Sequence, residues 1–390
     1  MEYDFDEIID RSSNYSAKVE EAYLHYSTND VIPLWIADMD FKTARPIIDA
    51  IIDRAEQGIF GYTFRPESYF NAVADWQIKR NNYKPDTNLM AFAPGVVPAM
   101  RMILQMFSTE QDRMMITTPV YHPFTDIVLN TKRTLVNIPL MVETGIYKMN
   151  FKDIEAEFKK GIKFFIFCNP HNPVGRVWTR NELETLTSLC LKYKVKIISD
   201  EIHSDLIFSG YKHIPTASIS KEIEKITYTM IAPSKTFNLA GLQASTIIFP
   251  NEEEKNQYIA NLKEMDIARN NCFSLVATIA AYRKGEEWLS QAIDYIHGNM
   301  EFIYEYCKKN IPVLRPNKPE ATYLCWIDAR ELKMNDDELK KFLVEKAGLA
   351  LGSGIEFGEG GSGFVRLNAA TSRRVIEKAL MQLEAAIKKL

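Results

Sequence analysis

Lys163-Phe-Phe-Ile-Phe-Cys168-Asn-Pro-His-Asn172-Pro-Val-Gly175, continued through Thr179-Arg-Asn-Glu182 to Lys196-Ile-Ile-Ser199-Asp200, is the stretch on which the fold turns. Its opening run is apolar without alternation, as expected of a strand buried on both faces. Thr179 and Glu182 have the spacing of a capping box and precede a helical pattern apolar at Leu183, Leu186, Leu189 and Cys190. Lys196–Ser199 is a second β-rich run. Strand, helix and strand in that order form the unit of a parallel sheet. The same rhythm extends outward, with runs at Leu89–Phe92, Met114–Thr117, Thr134–Ile138, Ile226–Ile231 and Ser245–Phe249. The predicted core is therefore α/β, a mostly parallel sheet between helices. Beyond about residue 255 the chain changes to longer Lys/Glu-rich helical patterns. There follow a strand-like ATYLCWIDA, a helix from Asp336, a Gly-rich bend, the strand-like FVRLN and a closing amphipathic helix, which together predict a smaller α+β domain.

Composition narrows the function classes. The 390 residues carry 47 Lys+Arg against 51 Asp+Glu, a formal charge of −4, and 46% are apolar. That is enough for a sizeable core, with a length prior of two domains or one with an appendage. Phosphate backbones and anionic membranes call for a basic excess, so nucleic acid and membrane are not expected partners. The opening MEYDFDEIID is acidic, and no apolar run approaches the ~18 residues that cross a bilayer, so a cytoplasmic protein is expected. Five Cys, never closer than eighteen residues, exclude CxxC motifs and a disulfide scaffold, and the six His have no metal-ligand spacing, so no metal is expected. Gly358-Glu-Gly360-Gly-Ser-Gly363 satisfies GxGxxG, but it leads into a strand-like run instead of opening a helix. A flexible hairpin or loop is the better reading there than a dinucleotide site.

Four segments sit where strands run out into loops, the edge at which open α/β sheets bind ligands. Phe92-Ala-Pro-Gly95-Val96-Val97 ends a strand and starts a helix whose first amides are an anion site, or only a plain helix start. Asn169-Pro-His-Asn172-Pro is a Pro-fixed turn that either aims the Asn172 amide into the crevice or uses Asn as a turn former. Ser199-Asp200-Glu-Ile-His203 places a carboxylate at a strand mouth, as ligand or as N-cap. Pro233-Ser234-Lys235-Thr sets a lysine among small and aromatic residues, where desolvation lowers an amine pKa and favours Schiff-base chemistry, unless the side chain faces solvent. Phosphate cradle, amide, carboxylate and amine together match the phosphate, ring oxygen, pyridinium nitrogen and aldehyde of pyridoxal phosphate.

With these motifs the chain resembles the fold type I pyridoxal-phosphate enzymes, the class I/II aminotransferase superfamily, and within it the cystathionine β-lyase group of cysteine–sulfur lyases. The likeness spans nearly the whole chain. Its motifs include Pro33-Leu-Trp-Ile-Ala37-Asp-Met-Asp-Phe41, Gly61-Tyr62-Thr63, Pro119-Val-Tyr121-His-Pro-Phe124, Asn169–Gly175, Ser199–His203, Pro233–Asn238 and Gly363–Asn368. The resemblance implies a three-layer transferase fold and pyridoxal 5'-phosphate as cofactor. It implies that Lys235 carries the cofactor, Asp200 keeps the pyridine nitrogen protonated and Asn172 donates to the ring oxygen. His203 lies nearby at a position that is Tyr in many aminotransferases, and Tyr121 stacks on the ring. Amides of Gly95, Val96 and Val97 and the Ser234 hydroxyl hold the phosphate. Arg366 clamps the substrate carboxylate, with Ala37 and Tyr121 also at the substrate. Tyr62 is implied to reach the neighbouring subunit's phosphate in a homodimer with shared sites.

The implied activity is α,β-elimination from L-cystathionine, L-cysteine or S-substituted cysteines to pyruvate, ammonia and a thiol, with Lys235 as the base at Cα and Tyr121 and Asp200 supporting it. The alternative is an aminotransferase of the same fold acting on a small L-amino acid. Gln243 stands where many aminotransferases carry Arg, which favours the lyase group. Ser16-Ala-Lys18-Val-Glu20 lacks the Trp-Asp pair usual after this Lys, and Asn368-Ala-Ala-Thr371 replaces a frequent Cys or Pro, so substrate scope is the open point. The implied division is a large cofactor domain at 45–285 and a small domain made of 1–44 with 286–390.

Overall fold

In the computed structural model, which describes residues 2–28 and 30–390, the seven apolar runs become the strands of one sheet. They are β1 (Met90–Ala93), β2 (Arg113–Ile116), β3 (Thr134–Asn137), β4 (Phe164–Cys168), β5 (Lys196–Asp200), β6 (Thr227–Ile231) and β7 (Ser245–Ile248). Their order is β1-β7-β6-β5-β4-β2-β3. Pairings among β2, β3, β4, β5 and β6 are parallel, whereas β7 is antiparallel to both β6 and β1. The reversal has a local counterpart: residues 232–244 join β6 to β7 through the one-turn helix Pro233–Thr236 and the turn Ala240–Leu242, and form no crossover helix of the kind that joins parallel strands.

The pleat accounts for the unbroken apolar runs. In β4, Phe164, Ile166 and Cys168 face a core with Ala99, Ile103 and Phe124, while Phe165 and Phe167 face another with Ile154, Leu183 and Leu186. All five residues of the strand are buried, and truncating Phe165 to Ala would cost about 3–5 kcal/mol. The predicted capping box is formed: the Glu182 amide donates to Thr179 Oγ1 at 3.3 Å and the Thr179 amide to Glu182 Oε2 at 2.8 Å.

A second, antiparallel sheet contains Arg315–Pro316, Leu324–Asp328, Phe364–Asn368 and Gly352–Ser353, in that spatial order. Ile32–Pro33 pairs in parallel with Leu349–Ala350, stitching the start of the chain to its end. One apolar cluster runs from Trp76 and Ala277 through Trp288 to Leu324 and Ile376, so the core is continuous between the two sheets. The Gly-rich stretch is a packed loop and not the flexible one expected. A Cβ on Gly354 would lie 2.2 Å from the Gly361 carbonyl oxygen, and one on Gly361 would lie 2.0 Å from that of Gly354. The glycines let two backbones touch, and the segment opens no helix before Phe364–Asn368. Among the described residues, no helix is long and apolar enough to cross a membrane.

Candidate active site

The carboxyl ends of β1, β4, β5 and β6 lie on one edge of the sheet, because β1 is reversed twice relative to β6. The turns after them converge on a cavity of about 660 Å³. Gly95, Val96, Val97, Tyr121, Asn172, Asp200, His203, Ser234 and Lys235 line it from the sheet side, with Ala37 and Arg366 opposite. Every residue singled out from sequence is therefore at this cavity except Tyr62. That side chain is 95% exposed on the loop before Glu67–Asn81, beside exposed Ile59, Phe60 and Phe64.

Lys235 sits in the one-turn helix after β6 and donates through Nζ to the Ala37 carbonyl at 2.5 Å. Burial, then the positive charge of Arg366, pushes its amine down to about 8, against the opposing pull of Asp38 and Asp200. The side-chain carboxyl of Asp200, a residue 4% exposed, accepts one hydrogen bond among the described residues, from the Ile202 amide at 3.1 Å. Burial lifts its carboxyl to about 7. His203 is pushed down to about 3, by burial and then by Lys235 and Arg366, so its imidazole is neutral, and its Nδ1 is buried without a partner. Burial also raises the Tyr121 hydroxyl above its ordinary range.

Arg366 is 7% exposed, and no carboxylate forms an ion pair with it among the described residues. Its Nη2 donates to the Trp35 carbonyl at 2.8 Å and its Nη1 to Asn172 Oδ1 at 3.3 Å, while Nε has no partner. The guanidinium lies 4.8 Å from the Phe357 ring centroid. With its oxygen engaged, Asn172 has its amide nitrogen left for the cavity. The helix Val96–Phe107 begins at Gly95, and its first amides have no acceptor within the helix, so they present a positive end.

These features fit pyridoxal phosphate on observations of the chain itself. The floor offers a low-pKa amine, a buried carboxylate with spare acceptor capacity, an amide donor and orphaned donor groups. The helix end suits a phosphate. Cys168 also lines the cavity, but its thiol is pushed up by burial and donates to the Pro170 carbonyl at 3.2 Å, so it is not a nucleophile.

Sequence reasoning missed the outer wall. Glu21, His25 and Tyr26 come from the N-terminal segment, Glu356 and Phe357 from the Gly-rich loop, and His122 from beside Tyr121. His122 and Trp35 stood inside quoted motifs without a role. Glu21, His25 and Tyr26 lie in or beside helices of four and five residues, too short for any periodic signal.

Residues 29–383 match the model of the family described as aminotransferase class I and II. Cystathionine beta-lyase PatB of Bacillus subtilis (strain 168) is 38% identical over 384 residues, covering 98% of this chain and 99% of that protein. A pyridoxal-phosphate-bound C–S lyase from Staphylococcus hominis superposes with a TM-score of 0.94 at 34% identity, covering 99% of this chain and 98% of that one. A pyridoxal-phosphate-bound protein from Clostridium difficile 630, with a provisional aminotransferase name, superposes with a TM-score of 0.97 at 48% identity, covering 99% and 100%.

Proposed function

The chain belongs to the aminotransferase class I and II family, and from that premise we propose that it is a pyridoxal-phosphate-dependent carbon–sulfur β-lyase acting on L-cystathionine, L-cysteine or S-substituted cysteines. The observation that carries the reading is the convergence of Lys235, Asp200 and Arg366 on one cavity, with the amine held near 8. The lyase relatives favour elimination as the outcome.

Bound pyridoxal phosphate supplies an electron sink for a carbanion at the substrate Cα. Lys235 would carry it, the Gly95–Val97 amides and Ser234 would hold its phosphate, and Tyr121 would lie against its ring. Asn172 and His203 would face the ring oxygen. Asp200 would meet the ring nitrogen, where a cationic N–H would return a carboxyl raised chiefly by burial, and further by Glu201, to its ionised form. Arg366 holds the substrate carboxylate through its free guanidinium edge, a planar fork suited to two oxygens. That clamp, with Ala37 and Tyr121 beside it, orients the amino acid so that its Cα–H faces Lys235. The neutral amine of Lys235 then takes the Cα proton. Loss of the Cβ–S bond expels a thiolate that leaves as the thiol, and with one water the three-carbon fragment becomes pyruvate and ammonia.

An aminotransferase is the second reading, favoured by the provisional name of the C. difficile protein. Gln243, which lines the cavity where many aminotransferases carry Arg, favours the lyase. Incubation with L-cystathionine and no 2-oxo acid separates them: sustained release of pyruvate and thiol supports elimination, and release that depends on added 2-oxo acid supports transamination.

The working unit in this reading is a homodimer in which Tyr62 reaches the other subunit's cavity. The exposed apolar side chains of Ile59, Phe60, Tyr62 and Phe64 on one loop support it. The chain divides into a large domain at 45–285 and a small one made of 1–44 with 286–390, a division supported by the Ile32–Leu349 pairing. The unpaired, mostly buried cysteines favour a cytoplasmic enzyme.

A further inference from the structure

Residues Trp35–Phe41 lie outside every strand and helix, yet their carbonyls hold the site. Trp35 accepts from Arg366 at 2.8 Å, and Ala37 accepts from Lys235 Nζ at 2.5 Å and from the Tyr323 hydroxyl at 3.0 Å. Asn368, two residues from Arg366, donates to the Ile36 and Asp38 carbonyls at 2.6 and 2.5 Å. Asn238, three residues from Lys235, exchanges hydrogen bonds with the Met39 amide and carbonyl at 3.0 and 2.9 Å. Outside any ladder, and with the Asp40 amide donating to the Ala370 carbonyl at 2.9 Å, the segment takes its other anchors among the described residues from side chains.

Its outer face is held by a compact ion cluster. Arg11 Nη2 reaches Asp38 Oδ2 at 2.7 Å and its Nη1 reaches Asp40 Oδ1 at 2.7 Å. Lys18 Nζ lies 2.9 Å from Asp40 Oδ2 and 3.4 Å from Asp38 Oδ1. The Lys18 side chain is 1% exposed, and its carbonyl accepts from Trp35 Nε1 at 3.0 Å. Replacing a buried ion cluster by apolar packing is often neutral for stability, so its stabilising value alone does not account for a lysine buried this far. The geometry does offer a second use, because each carboxylate sits on the same short run as the carbonyls facing Lys235 and Arg366.

We infer that Arg11 and Lys18 are positioning residues, which act through Asp38 and Asp40 to fix the Trp35–Phe41 carbonyls against which Lys235 and Arg366 are held. The inference rests on the roles proposed for Lys235 and Arg366, but not on the choice between lyase and aminotransferase. Its test therefore reads amino-acid binding and not turnover.

Lys18→Met leaves Asp38 and Asp40 undercompensated and lowers Tm. Lys18→Met with Asp40→Asn removes a balanced pair and recovers most of it. The dissociation constant of L-alanine, read from the absorbance of the cofactor-loaded protein, is expected to rise about tenfold in both variants, because a misplaced clamp binds poorly however stable the fold. Lys18→Arg, which restores the cation, should bind L-alanine within about threefold of the unsubstituted protein. Arg11→Gln, at a side chain 18% exposed, covers the case in which Lys18→Met does not fold, and it too should weaken binding. A double variant, or Arg11→Gln, that keeps its Tm and binds L-alanine like the unsubstituted protein would overturn the inference and leave the cluster a purely structural one.

Discussion

Asp200 and Glu201 are adjacent at the end of β5, 4% and 1% exposed, and their surroundings are opposite. Glu201 accepts from the Ser199 hydroxyl at 2.8 Å and the Thr216 amide at 2.9 Å, and its other oxygen lies 3.0 Å from His213 Nε2. Asp205, a turn later, is likewise engaged by Trp76 Nε1 at 2.9 Å and the Thr236 hydroxyl at 2.8 Å. The Asp200 carboxyl has the Ile202 amide alone among the described residues. Side chains alternate at a strand end, so one carboxylate faces the protein behind the sheet edge and the next faces the cavity. A buried carboxylate with its acceptors filled builds the fold. One left with spare capacity is costly by itself and marks where a partner belongs.

The strongest way to break the contrast is on the cavity side. Lys235→Ala should lower kcat/KM by roughly 10³-fold or more, and borohydride should then fix no cofactor to the chain. Asp200→Asn should lower kcat/KM by about 10²-fold or more without lowering the apoprotein's Tm. Behind the sheet edge the pattern reverses. Glu201→Gln should cost about 1–3 kcal/mol in denaturant unfolding, with kcat/KM per folded molecule changed only about threefold. If Glu201→Gln were the inactive variant and Asp200→Asn the unstable one, the two roles would be exchanged.

Two pH measurements sharpen it. The folded Asp200 carboxyl titrates near 7, raised from 3.8, so folding favours its protonated form. Its stabilising contribution is present below about pH 4 and is lost as pH rises through about 7. Apoprotein stability should lose that part over this window, and Asp200→Asn should flatten the loss. The smallest effect concerns Lys235. Labelling of its amine in the apoprotein should rise through about pH 8. Arg366→Met removes a repelling cation and should move that midpoint up, whereas Asp200→Asn removes an attracting charge and should move it down.

The sheet was legible because its strands are short, continuously apolar runs. The cavity floor was legible because each of its residues follows such a run directly. The reversal of β7 was not, since strand direction depends on whether the connection folds into a crossover helix, and residues 232–244 form only two short turns of helix. The outer wall was hidden for a different reason: Tyr26 meets the Leu351 carbonyl at 2.8 Å across 325 residues of chain. Lys18 was noticed only because the usual Trp-Asp pair does not follow it, and nothing local indicates that its ammonium is buried against Asp38 and Asp40. Tyr62 was singled out through resemblance alone, and a single chain does not bring it to the cavity.

The most direct measurement is a stoichiometry. Cofactor-loaded protein given L-cystathionine, with no 2-oxo acid, should release pyruvate, ammonia and thiol in equal amounts over many turnovers, and the Lys235→Ala variant should release none. A single turnover that stops until a 2-oxo acid is added, with no thiol formed, would contradict the assignment as a carbon–sulfur lyase.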